Sequence, residues 1–148
     1  MPDKIHLTVA TLVEHNRQFL MVSEIDRGEI VLNQPAGHVE PGEDILDAAI
    51  RETLEETKWH VLLTDFVGVY SNRSIHNGVT YYRMCFAATP VNEDSAQILD
   101  PDINEVHWMT PEEIHKSQYK HRSSSVLECL EDYLEGKIFP LDIFRNRI

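Results

Sequence analysis

Cysteine is nearly missing from this chain, which carries only Cys85 and Cys129. Cys85 falls in an apolar, strand-like run and Cys129 in a helix-like one. Two such residues are too few and too separated for a disulfide framework or a zinc site, so both are expected in the core. Basic residues are also few, with 13 Lys and Arg against 25 Asp and Glu for a net charge of −12. That balance argues against a nonspecific nucleic-acid surface, which needs cations to neutralise phosphates. It also means that an anionic substrate has to meet a metal ion or a local basic cluster. No apolar run approaches the roughly 20 residues that span a bilayer. The opening "MPDKIHLTVATLV" lacks the ordered charged start, apolar stretch and cleavage site of a signal peptide. The expectation is a cytoplasmic protein with neither a membrane nor a nucleic-acid partner. Glycine and proline are sparse, at 6 and 7 residues, and 42% of the chain is hydrophobic. Disorder is therefore not indicated, and 148 residues suit one domain, 1–148.

What is present follows a strand and helix order. "IHLTVATLVEH" and "QFLMVSEI", joined by the polar "NR", predict a hairpin. "GEIVLNQPAG" adds a short strand that stops at Pro35, after which Gly37, Pro41 and Gly42 punctuate a loop. Residues 43–57 contain no Pro or Gly and many good helix formers, which predicts a helix of about four turns. Strands return in "HVLLTDFVGVYSNRS" and "GVTYYRMCFAATPV". "VNEDSAQILDPDINE" reads as a long acidic loop and "VHWMT" as a short strand. "TPEEIHK" has a Thr cap with Pro at the first helical position. "SSSVLECLEDYLEGK" spaces Val126, Leu127, Leu130, Tyr133 and Leu134 as a helix face ending at Gly136. The order predicts an α/β or α+β domain with helices packed on a mixed sheet.

The most particular feature is "GHVEPGEDILDAAIRETLEET". At about 100° per residue with Arg51 at zero, Glu55 falls near 40°, Glu52 near 100° and Glu56 near 140°, all on one face. Thr53, Leu46, Thr57, Ile50 and Leu54 lie nearly opposite and are expected to form the buried stripe, while Ile45, Ala48 and Ala49 on the acidic side hint that this side is covered. An acidic face is most often a solvated surface. Here, however, an i, i+4 pair with a third acid between would let three carboxylates converge on one hard divalent cation. A cation turns their mutual repulsion into attraction.

The spacing Gly37, five residues, Glu43, seven residues, Arg51-Glu52, two residues, Glu55-Glu56 resembles the signature of the Nudix hydrolases, here spanning 37–59. Six fixed positions match by chance on the order of once in 10⁵ chains of this length. Thr53 stands where the family has an aliphatic residue. Its hydroxyl is expected to bond the i−4 carbonyl. Lys58 stands where the family has a helix-ending glycine, which predicts a less sharp termination. The rest of the chain is similar too, implying a Nudix-like α-β-α sandwich with a mixed β-sheet. "LNQPAGHVE" and "FPLDIF" are similar to the NudJ-type phosphatases.

The resemblance implies Mg²⁺-dependent hydrolysis of phosphoanhydride bonds, with Mn²⁺ as a substitute. The substrates would be nucleoside triphosphates and diphosphates and related diphosphates such as hydroxymethylpyrimidine diphosphate. It makes Glu52 and Glu56 principal metal ligands and Glu55 a third ligand or the base. The backbone at Ala36 or Gly37 and the acid Glu105 would add to the metal set. Arg51 enters the catalytic set as a support for Glu43 or a catalytic glutamate. "DPDINE" offers Asp100, Asp102 and Glu105 as further acids. Asn33 and Gln34 are candidates for hydrogen bonds to a base or pyrimidine, and Arg73, Tyr81 and Arg83 for phosphate contact or stacking. The partner is a small phosphorylated substrate, and the state a monomer or small homo-oligomer. His38 adjoins this loop, but the histidines lack ligand spacing. Alternatives are a regulatory module that binds nucleotides without turnover, a pyrophosphohydrolase for another substrate such as ADP-ribose, and a prenyl diphosphate isomerase needing a catalytic cysteine near the site.

Overall fold

The computed structural model describes residues 4–145. Strands β1 (Ile5–His15) and β2 (Gln18–Asp26) form the expected hairpin, turning at Asn16 and Arg17, both at positive φ. After β3 (Glu29–Asn33), Ala36–His38 forms a three-residue strand, β4, in what was expected to be loop. It pairs antiparallel with β1, Gly37 opposite Val9 and His38 opposite Thr8. Helix α1 (Ile45–Thr57) is followed by the long strands β5 (Trp59–Arg73) and β6 (Thr80–Glu93), then β7 (Ile103–Met109). The acidic loop is shorter than its composition suggested because both flanking strands run into it. Helix α2 (Pro111–His115), the two-residue β8 (Lys120–His121), α3 (Ser125–Leu134) and a 3₁₀ turn at Leu141–Ile143 complete the order.

The sheet runs β5-β6-β1-β2-β3-β8, with β4 added to β1 and β7 to β2. β1 and β6 are parallel while β5–β6, β1–β2 and β2–β3 are antiparallel, so the sheet is mixed. Strand alternation sends successive β1 side chains to opposite sides. Val9 and Val13 join Ala48 and Ala49 of α1, Phe66 and Phe86 in one core. Ala10 and Leu12 join Phe19, Leu32, Cys85 and the α2 and α3 residues Ile114, Val126, Cys129 and Leu130 in the other. The result is an α+β sandwich, α1 on one face and α2 with α3 on the other. Phe144 closes the first core edge-on to Phe66, with ring centroids 4.9 Å apart.

Two local expectations changed. α1 starts at Ile45 rather than Glu43 because Asp44 takes the cap, its carboxylate accepting from Asp47 N at 3.3 Å. Lys58 does not blur the helix end: it adopts the left-handed conformation itself, φ 67°, and its N–H donates to Leu54 O at 2.8 Å. A non-glycine residue pays a steric penalty there, and the helix still stops as it would with glycine. Thr53 behaves as expected, donating to Ala49 O at 2.7 Å, and also shares a hydrogen bond with Thr11 of β1 at 2.7 Å. That hydroxyl pair ties α1 to the central strand inside the core.

Candidate active site

The three acids of α1 do share a side, but that side is largely inside the protein. Ala48 and Ala49 are fully buried, and Glu56 is only 6% exposed. The expected opposite stripe is instead mixed: Thr53 and Thr57 are buried, whereas Leu46, Ile50 and Leu54 are partly exposed. The reason is β4, which lies against α1 and covers the acidic side. Glu56 accepts from Ala36 N at 2.9 Å. Glu52 lies against Gly37 so closely that a Cβ there would sit 2.1 Å from its carboxyl carbon. A methyl group at this position would displace that carboxylate, the mobile end of the Glu52 side chain, from where it sits.

Arg51 cross-links the arrangement. Its Nε and Nη2 donate to the two oxygens of Glu43 at 2.6 and 2.9 Å, and Nη1 donates to Glu52 at 2.9 Å and Glu55 at 3.1 Å. Nη2 also donates to His38 O at 3.0 Å, so one guanidinium joins helix, loop and β4. Its planar fork suits this bidentate role. The hydrogen bond from Arg51 holds the Glu43 carboxyl below its usual range. Arg51 itself is held above its ordinary value by the same partner.

Among the described residues no cation hydrogen-bonds Glu56, and Arg122 interacts with it only through space. Burial pushes its carboxyl up to about 9, against the Ala36 N–H that favours the charge, and Glu24, Glu52 and Asp100 push the same way. Burial also raises Glu52, partly offset by Arg51. Asp100 is thus the loop acid drawn to the cluster, and its N–H donates to Glu55 O at 3.0 Å. Glu105, on β7 opposite Ser23, points an exposed side chain to solvent, 3.9 Å from His107 Nε2. Asp102 uses its backbone, its N–H bonding Asp100 Oδ1 at 2.9 Å.

The candidate substrate residues separate. Asn33, Gln34 and Arg83 are buried and bonded to one another: Arg83 donates to Asn33 Oδ1 at 3.1 Å and to Gln34 Oε1 at 2.7 Å. Asn33 in turn donates to Glu24 at 3.0 Å, and Gln34 to Val126 O at 2.8 Å. Arg73 lies exposed at the end of the β5–β6 hairpin, its Nε 3.4 Å from Gly78 O. Tyr81 stands beside His6 and His38, with ring centroids 5.4 and 6.2 Å away. Cys85 and Cys129 are buried together in the core on the α3 side, away from α1.

Two residues near the cluster were not singled out from sequence. Glu24 of β2 is 6% exposed, and Arg122, just after β8, donates to it at 2.9 Å. An acid inside the apolar run "QFLMVSEI" was the available signal for Glu24. Nothing local marks Arg122, whose position depends on β8 pairing with β3 and on its N–H donating to Leu32 O at 2.9 Å.

Among the described residues, no three His, Cys, Asp or Glu side chains already stand as a metal-holding group. The donor chemistry nonetheless fits a hard divalent cation. Glu52 and Glu56 are carboxylates whose charge is disfavoured by burial and by neighbouring acids, and Glu56 accepts a hydrogen bond from a backbone N–H. Oxygen-only donors with excess negative charge match Mg²⁺ or Mn²⁺ rather than a softer ion.

A carboxylate helix pressed against a glycine-bearing strand, with an arginine pinning loop to helix, is the arrangement that the sequence resemblance implied. Comparison with known proteins agrees. The family model described as NUDIX domain matches residues 4–129. Phosphatase NudJ of Shigella boydii serotype 4 (strain Sb227) is 34% identical over 140 residues, covering 95% of this chain and 90% of that protein. Phosphatase NudJ of Escherichia coli (strain K12) is 33% identical over the same coverage. A solved structure, a NUDIX hydrolase from Nitrosomonas europaea, is 43% identical with a TM-score of 0.92, covering 97% of each chain. This chain belongs to the Nudix hydrolase family. No helix among the described residues is long and apolar enough to cross a membrane.

Proposed function

We propose that this protein, acting as a single domain over 1–148 in the cytoplasm, is a Mg²⁺-dependent phosphatase of broad selectivity. Its substrates are nucleoside triphosphates and diphosphates and related small diphosphates such as hydroxymethylpyrimidine diphosphate. The observation that carries this reading is the seating of Glu52 and Glu56 against Gly37 and Ala36, with Glu55 beside them on α1. The similarity to Phosphatase NudJ over 95% of the chain supports the phosphatase activity.

Glu52, Glu56 and Glu55 would hold the cation, with Ala36 and Gly37 supplying backbone oxygen, whereas Glu105, turned to solvent on β7, stays outside this set. When bound, the ion neutralises charge on the phosphate oxygens and makes the phosphorus easier to attack. The remaining work falls to the chain. Water attacks the terminal phosphorus in line, the P–O bond to the rest of the substrate breaks, and the water proton passes to a carboxylate. Glu55 is the most open of the three, with 42% of its side chain exposed, which supports it as the acceptor of that proton. Glu56, deeper in the site, is the other candidate acceptor. Arg51 acts through others: its bonds to Glu43, Glu52, Glu55 and His38 O fix the helix against β4.

The deciding experiment incubates the protein with Mg²⁺ and a panel of nucleoside triphosphates, nucleoside diphosphates, ADP-ribose and hydroxymethylpyrimidine diphosphate, assaying phosphate and pyrophosphate separately. Metal-dependent phosphate release across many substrates is expected. Turnover of one substrate alone, or pyrophosphate as the product, would replace the phosphatase reading with a narrower hydrolase. Tight ligand binding without turnover would make the protein a sensor.

A further inference from the structure

Three rings from three adjacent strands meet on the sheet face opposite α1, and none of the roles described above uses the His6 or His38 side chain. His6 on β1 lies opposite Tyr81 on β6, and His38 on β4 lies opposite Thr8 on β1. The His6 Nδ1 and His38 Nε2 atoms are 3.0 Å apart, one ring donating and the other accepting. His6 and His38 stack edge to face at a centroid distance of 5.0 Å and an interplanar angle of 72°, and His6 and Tyr81 at 5.4 Å and 87°. Tyr81 Oη accepts from Asn77 Nδ2 at 3.2 Å, which fixes the phenol ring.

Strand alternation decides which way the cluster faces. Arg83 and Cys85 of β6 lie on the α3 side, since Arg83 reaches Ser125 and Cys85 shares a core with Cys129. Tyr81 therefore projects to that same side, one pair of residues beyond the first turn of α3. His6 follows Ala10 and Leu12 by the same rule. The three rings thus occupy the end of this sheet face, past the start of α3, and His38 is exposed to solvent. The cluster also adjoins the chemistry. Gly37, which admits the Glu52 carboxylate on the α1 side, and His38, on the opposite face, are consecutive residues at the edge of the sheet, and Arg122, which bonds Glu24 and feels the Glu56 charge, also acts on the His38 ring.

We propose that His6, His38 and Tyr81 form the subsite for the planar ring of the substrate, a nucleobase or pyrimidine whose attached diphosphate crosses the edge of β4 to the glutamates. The assignment rests on the hydrolase reading for the diphosphate end. Edge-to-face packing leaves ring surface available for stacking, which tolerates many bases because each has a π face. The imidazoles add hydrogen-bonding groups at the ring edge. A broad substrate range follows from such a surface, whereas a pocket built to hydrogen-bond one base would reject the others.

The test separates the ring site from the reaction. Histidine Cε1–H signals are followed by NMR, without metal, while cytidine monophosphate or methyl phosphate is added. Shifts at His6 and His38 with the nucleotide and none with methyl phosphate are expected, and equal shifts with both would overturn the assignment. In parallel, Mg²⁺-dependent kcat and KM are measured for cytidine diphosphate and for methyl diphosphate. Tyr81→Ala is expected to lower kcat/KM at least tenfold for the nucleotide relative to methyl diphosphate, mainly through KM. Tyr81→Phe, which keeps the ring, is expected to recover most of it. Equal losses on both substrates, or no loss, would sink the ring subsite. Wild-type protein that hydrolyses neither substrate yet shows the nucleotide-specific shifts would overturn the hydrolase reading and leave the ring site standing.

Discussion

Replacing Glu56 with Gln keeps the side chain's shape and an oxygen to accept from Ala36 N–H, but removes the charge. In the absence of a divalent ion, wild-type Glu56 titrates near 9 in the folded state against an ordinary 4.5. A folded-state pKa raised in this way contributes stability that is fully present below the unfolded value and is lost as pH rises toward 9. By pH 7.5 the rise from 4.5 spans three units, each worth about 1.4 kcal/mol, so the loss reaches about 4 kcal/mol. Glu56→Gln has no such dependence. With EDTA present, its stability relative to wild type should therefore climb steadily from pH 5 to pH 9, by a few kcal/mol. Urea unfolding followed by circular dichroism at pH 5, 7.5 and 9 reads this directly. Excess Mg²⁺ should reverse the ranking, stabilising wild type more than the variant at pH 7.5 and above, because the ion needs the carboxylate. Turnover of the variant should fall at least about 10²-fold, since several kcal/mol of charge stabilisation is lost. A stability difference that stays flat between pH 5 and 9, or a variant with near-normal turnover, would refute the reasoning.

Gly37→Ala places a methyl where the Glu52 carboxylate sits; turnover should drop at least about tenfold, with the circular dichroism spectrum retained. Thr53→Val leaves Thr11 without its buried partner and should cost about 1–2 kcal/mol by chemical denaturation, while the Thr11→Val, Thr53→Val double variant recovers much of that. Lys58→Gly removes a left-handed non-glycine residue and should raise stability by about 1 kcal/mol, seen as a higher melting temperature with unchanged kcat/KM.

Much of the architecture was readable because it is local. The β1–β2 hairpin, α1 and the capping box at Thr110 and Glu113 declare themselves within a few residues, through alternation, helix formers and cap chemistry. β4 and β8 do not, since strands of three and two residues are too short to show a period and exist only because longer strands accept them. The glutamates were legible from helical spacing, and the apolar residues beside them hinted at cover, but what covers them was not legible, because it is β4 folding back along β1. Glu24 and Arg122 illustrate the same limit. They are 98 residues apart and meet through the β2–β3–β8 order. Likewise Asn33, Gln34 and Arg83 each look like surface-capable polar residues, and only the assembled sheet shows them bonded to one another beneath α3.

The three-residue strand β4 behaves as a partition whose two sides are fixed by counting. Gly37 opposite Val9 turns its bare side toward α1, and His38 opposite Thr8 turns toward the α3 side. Sliding this strand by one residue against β1 would exchange the sides. An imidazole would then be driven into the space held by the Glu52 carboxylate, and the opposite face would lose one of its rings. A single-residue insertion between Pro35 and His38 should therefore be far more damaging than one beside Gly42, where the chain turns in open space. The spacing of the segment is consequently under stricter geometric constraint than most of its residue identities.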